Sequence, residues 1–151
     1  MTETETLVAK RTAAKDVISF RGHPNVLSTH PTTIEVTSEN HLTKRGNCII
    51  GVGASKGCAQ LGDQVKEGLK RKGSKVTMRI LVGGHAFQVN ARGDPRLELS
   101  HPHDMVIRKS DFVSDRTLAV RADAASMDIP REMVRLLRNP ESVGRLEIEV
   151  R

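Results

Sequence analysis

A chain of 151 residues is long enough for one domain that buries about two thirds of its unfolded surface, whereas half of it would hold only a marginal core. Its 37% hydrophobic share is almost wholly Val, Ile, Leu, Met and Ala, with Phe20, Phe87 and Phe112 as the only Phe, Tyr or Trp residues, so packing must rest on branched aliphatics, which suit strands. The net charge of +6 favours an anionic partner, and the lack of a membrane-length apolar run or of an apolar signal centre in Met1 to Glu5 excludes a membrane partner and reads as cytoplasmic.

Residues 1–15 mix Thr, Glu, Ala and Lys without a period and read as a mobile tail or a frayed strand. Asp16 to Arg21 is a short strand, broken by Gly22-His23-Pro24-Asn25. Pro24 and Pro31 keep His23 and His30 out of helical geometry, so both imidazoles sit on turn or extended backbone. Thr32 to Thr37 alternates polar residues with Ile34 and Val36 and reads as a half-buried strand, and Cys48 to Val52 as a buried one. Leu61, Val65 and Leu69 then form an i, i+4, i+8 stripe, with Asp63 as a cap and Gly73 as the stop. The strand Val76 to Val82 follows, ended by Gly83-Gly84.

From Phe87 the same course is run again. Phe87 to Ala91, Met105 to Arg108 and Leu118 to Val120 read as strands. A helix starts at Pro130 and continues the stripe of Ile129, Met133 and Leu137 until Asn139-Pro140, and a last strand carries Leu146, Ile148 and Val150. Arg21, Gly22, Pro24, His30 and Pro31 recur 71 positions on as Arg92, Gly93, Pro95, His101 and Pro102, and Arg45 falls on Arg116 in that register. From Val52 and Val120 onwards the matching core positions lie 68 apart. The expectation is an α+β, β-rich protein of internally duplicated β-β-β-α-β units. They would form one pseudo-two-fold, partly or fully closed β-barrel of about eight strands with two helices. Residues 16–151 would be a single domain of two intertwined repeats, about 16–82 and 87–150.

Gly22-His23-Pro24-Asn25, His30-Pro31-Thr32-Thr33, Arg45-Gly46-Asn47-Cys48-Ile49-Ile50-Gly51-Val52, Ile107-Arg108-Lys109-Ser110-Asp111 and Arg116-Thr117-Leu118 together resemble the archaeal domain-of-unknown-function family 371, over about residues 16–150. The resemblance implies an archaeal, single-domain, cytoplasmic protein and carries over no activity and no catalytic residues.

Three groups of residues bear on chemistry. The first is Arg45, Arg116, Arg108, Lys109 and Ser110, which would grip phosphate and make the chain a non-catalytic module for RNA, a nucleotide or another phosphate-bearing ligand. No aromatic ladder accompanies them, which disfavours a single-strand platform. The second is His23, His30, His101 and His103 with Asp94 or Asp104. If folding brought them together they would hold a divalent metal such as zinc, giving a small metal-dependent enzyme; otherwise these histidines pin their own turns. The third is Gly51-Val52-Gly53-Ala54-Ser55-Lys56-Gly57, which leads from a strand towards a helix but lacks the spacing of a phosphate fingerprint and reads as close packing. The basic residues Lys66, Lys70, Arg71, Lys72 and Lys75 after the first helix, and Arg131, Arg135 and Arg138 on the second, read as solvated helix faces. Cys48 and Cys58 read as buried free thiols, Cys58 on the apolar side of a helix. A structural role in a larger assembly is a further reading.

Overall fold

The computed structural model describes residues 13–151. The element order is β1 (Ala14–Arg21), β2 (Thr33–Thr37), β3 (Ile49–Gly51), α1 (Asp63–Leu69), β4 (Lys75–Val82), β5 (His85–Arg92), β6 (Asp104–Arg108), β7 (Thr117–Ala119), α2 (Arg131–Leu137) and β8 (Val143–Val150). The expected tail lies largely outside the described residues, but its last two, Ala14 and Lys15, already belong to β1. No helix among the described residues is long and apolar enough to cross a membrane.

The second half repeats the first strand for strand: β5 and β6 lie 71 residues beyond β1 and β2, and β7, α2 and β8 lie 68 beyond β3, α1 and β4. Strand pairing crosses between the halves. One antiparallel sheet has the order β1-β8-β4-β5, the other β3-β2-β6-β7 with antiparallel β2-β6 at its centre and a parallel pair on each side. The β4–β8 ladder is centred on Arg79 opposite Glu147, and the β2–β6 ladder on Glu35 opposite Val106. In each ladder the central residue of one half meets its own counterpart from the other.

Alternation decides what each strand buries. Val76, Met78, Ile80 and Val82 of β4 and Leu146, Ile148 and Val150 of β8 face the same interior as Ile34, Val36, Met105 and Ile107 of the second sheet. Val65, Leu69, Met133 and Leu137 add the stripes of the two short helices, so residues from both halves fill one apolar cluster. At roughly 1.5–3 kcal/mol for each fully buried aliphatic side chain, that shared interior is the main term holding the halves together.

The eight strands do not close into a barrel. Among the described residues the sheets are bridged at Arg21 with Val52 and at Arg92 with Val120, and just beyond each bridge one more backbone bond runs to the same strand, from Ser55 N–H to the Ser19 carbonyl and from Asp123 N–H to the Asn90 carbonyl. One residue past each bridge the chain turns into the left-handed region, at Gly53 (φ 58°) and Arg121 (φ 53°). Their N–H groups bond to the carbonyls of Glu39 and Ser110, which breaks the regular ladder register at each corner. The glycine-rich stretch is packing, as its residue types suggest. A Cβ on Gly51 would strike the Phe20 ring, and one on Gly57 would lie 2.5 Å from the Pro102 carbonyl oxygen. Cys58 sits on a 3₁₀ turn, Cys58–Gln60, rather than on a helix.

That turn and its counterpart, Ser126–Asp128, lock the halves together. Ala59 N–H donates to the His101 carbonyl and Met127 N–H to the His30 carbonyl. The Cys58 thiol reaches the Arg116 carbonyl at 3.5 Å, and the Ser126 hydroxyl the Cys48 carbonyl at 2.8 Å. Each half's turn thus holds the His-Pro loop of the other.

Candidate functional site

The four histidines do not form a common site. His30 and His101 precede β2 and β6 by the same three residues, and because those strands run antiparallel the rings lie at opposite ends of the pair. The four steps from Thr33 to Thr37 alone span about 14 Å. Each ring is also committed locally. His30 Nδ1 accepts the N–H groups of Thr32 and Thr33 at 3.2 and 3.1 Å, and His101 Nδ1 those of His103 and Asp104 at 3.1 and 2.8 Å. His23 Nδ1 accepts Asn25 N–H at 3.0 Å, and His103 Nδ1 lies 2.8 Å from the Ser38 hydroxyl. Asp94 is elsewhere again, at the end of β5, paired with Arg96. Among the described residues no group of three or more His, Cys, Asp or Glu side chains is placed to hold a metal ion. His23, His30 and His101 pin turns because a ring nitrogen two or three residues back can satisfy N–H groups that an X-Pro turn leaves free, whereas His103 bonds across to Ser38.

Of the expected anion set, Arg108 and Arg116 come together around Glu35. Arg45 is exposed on the β2–β3 loop, and its match with Arg116 is not structural. The Glu35 N–H bonds the Cys48 carbonyl just as the Val106 N–H bonds the Arg116 carbonyl, so Cys48 is the true counterpart of Arg116. The three-residue register change therefore falls before Arg116, within the loop. Arg116 is consumed internally, with Nη1 at 3.1 Å from Asp104 Oδ2 and 3.7 Å from Glu35 Oε1. Arg108 donates to the hydroxyls of Thr117 (2.9 Å) and Ser114 (3.3 Å), and its guanidinium lies 4.9 Å from the centroid of the Phe112 ring. Lys109 reaches Asp128 at 3.6 Å. Arg131 and Arg138 donate to backbone carbonyls, including those of Ser28 and Val26.

What this face of the second sheet holds is a buried charge cluster that alternation alone did not reveal. Glu35 is 5% exposed. Burial, reinforced by the charge of Asp104, raises its carboxyl above the ordinary range although Arg116 pulls it back. Burial and the nearby Glu35 push the Cys48 thiol up to about 11, and burial with Asp104 and Asp115 pushes Cys58 up to about 12, so both are inert thiols at neutral pH.

Free positive charge gathers elsewhere. A groove of about 350 Å³ is lined by Lys75, Thr77, Asn90, Arg92, Arg121 and Asp123, and a hollow of about 400 Å³ beside it shares Arg92 and Arg121 and adds Lys72 and Asp94. Both carboxylates there are already occupied, Asp94 by Arg96 and Asp123 by the N–H and side-chain amide of Asn90. Among the described residues Lys72, Lys75 and Arg92 enter no ion pair, and Arg121 has only Asp111 at 3.9 Å. The other half has no such groove chemistry, since the counterparts of Lys72, Lys75 and Arg121 are Pro140, Val143 and Gly53. The signal in the sequence was there: an arginine stands where the twin segment has glycine.

The family profile described as domain of unknown function DUF371 matches residues 18–151. The chain belongs to the DUF371 family. This DUF371 protein is also 42% identical over 122 residues to an uncharacterised protein of Methanocaldococcus jannaschii, covering 81% of this chain and 90% of that relative.

Proposed function

We propose that this DUF371 protein is a non-catalytic module that holds a phosphate-bearing ligand in the groove of Lys75, Arg92 and Arg121, with Lys72 in the hollow beside it. The observation that carries the reading is Arg121. Its side chain lines both the groove and the adjoining hollow with only Asp111 in ion-pair range, and at the structurally matched position the chain has Gly53, which takes the same left-handed backbone without the roughly 1 kcal/mol cost to a non-glycine residue. Three further cations without carboxylate partners converge there from β4, β5 and the loop after α1, a clustering that in general favours bound phosphate. The same reading takes the chain as one cytoplasmic domain derived by doubling of a single unit, with the groove as a later gain of one copy. The matched element order and the two unpaired cysteines support this.

The test is calorimetric titration with inorganic tripolyphosphate at low and raised salt, for wild type, Arg121→Gly and Arg116→Met. Binding that weakens with salt, falls about tenfold in Arg121→Gly and keeps its affinity in Arg116→Met is expected, with a salt slope lower by about one in the Arg121 variant. Arg121→Gly should at the same time gain about 1 kcal/mol of stability. Absent binding, or affinity indifferent to Arg121→Gly, would overturn the proposal.

A further inference from the structure

Resting on that reading, the geometry points to a nucleotide unit as the ligand, free or at an unpaired position of an RNA strand, with its phosphates in the groove and its base stacked on Phe112. Phe112 is 59% exposed in a chain that has only three aromatic residues of the Phe, Tyr and Trp type, whereas Phe20 is buried at 1%. Val17, Met127 and Val143 are similarly exposed, so exposure alone marks no site; what sets Phe112 apart is the cation beneath its ring.

The ring is held, not loose. One face rests on the Arg108 guanidinium at 4.9 Å, and the Phe112 N–H donates to the Ser110 hydroxyl at 3.3 Å. The same loop is tied to the groove by the Arg121 N–H to the Ser110 carbonyl (2.9 Å) and by Arg96 Nη2 to the Asp111 carbonyl (2.8 Å). Phe112 therefore stands two residues from a direct backbone bond to the groove arginine. A largely exposed planar ring backed by a cation is what a base stacks upon, and one such ring accepts one base. This also accounts for the missing aromatic ladder, because a single unit needs none.

Three probes are titrated into the full chain: inorganic tripolyphosphate, a nucleoside triphosphate and a short single-stranded oligouridylate. Expected is about tenfold tighter binding of the nucleoside triphosphate or the oligonucleotide than of tripolyphosphate. Phe112→Ala should erase that advantage and Phe112→Trp should keep it. Whichever of the two nucleotide probes shows the gain identifies the source. Equal affinity for tripolyphosphate and both nucleotide probes would overturn the inference while leaving the groove as an anion site, and no binding of any probe would overturn both. Unchanged tripolyphosphate affinity in Phe112→Ala controls for folding.

Discussion

Replacing Arg116 by Met keeps the aliphatic stem and removes the charge between two carboxylates. Its Nη1 stands 3.1 Å from Asp104 and 3.7 Å from Glu35, with side-chain exposures of 42, 15 and 6% for Arg116, Asp104 and Glu35. At an effective dielectric near 20 each contact is worth roughly 4–5 kcal/mol before desolvation, but the half-exposed guanidinium is screened by water. Removing one partner of a fully buried pair costs about 3–5 kcal/mol and of a surface pair about 0–1, so about 2 kcal/mol is expected here. Urea denaturation at neutral pH and near pH 4 reads it. Burial places the folded-state Glu35 carboxyl above its ordinary value of 4.5. The stability it contributes is therefore complete below about that pH and lost as pH rises through the higher folded value. The Arg116→Met penalty should accordingly shrink towards pH 4 as Glu35 takes up its proton, and should fall to about 1 kcal/mol in a Glu35→Gln background, where only the contact with Asp104 is lost. A penalty equal at both pH values and in both backgrounds would show that packing, not charge, is what Arg116 supplies.

Asp16 tests the opposite sign. Burial pushes its carboxyl upward, but hydrogen bonds from Lys56 (2.8 Å), Gly62 N–H (2.9 Å) and Val17 N–H (2.9 Å) outweigh this and hold it below 3.8. Its contribution is present above about that pH and lost as pH falls through the lower folded value, so Asp16→Asn should cost about 1–2 kcal/mol at neutral pH and little in strong acid, by chemical denaturation. Gly51→Ala should destabilise by about 2–3 kcal/mol, measured as a lower thermal midpoint, because its Cβ meets the buried Phe20 ring; a companion Phe20→Leu change should recover part of the loss.

Local residue types carried much of this fold. Alternation placed every strand to within a few residues, Asp63 and Pro130 marked where helices begin, and the Pro-containing turns predicted the local role of His23 and His30. The matched offsets of 71 and 68 foretold that the elements would recur in one order. Barrel closure did not follow, because edge avoidance is a tendency of sheets in general while the left-handed residues Gly53 and Arg121 act at two particular corners.

The residues of the site were hardest to see. Glu35 looked like any outward residue of a half-buried strand until the cross-half turns covered that face, and Arg116 looked like the twin of Arg45 until backbone bonding matched it with Cys48. Lys75, Arg92 and Arg121 come from three separate segments that the sequence alone does not bring together. The chain by itself determined which segments extend, coil and turn, since those choices depend on neighbours within a few positions. Which strands pair and which cations share a groove was decided only by tertiary structure, because hydrogen bonds and charges act across space between residues that the sequence keeps far apart.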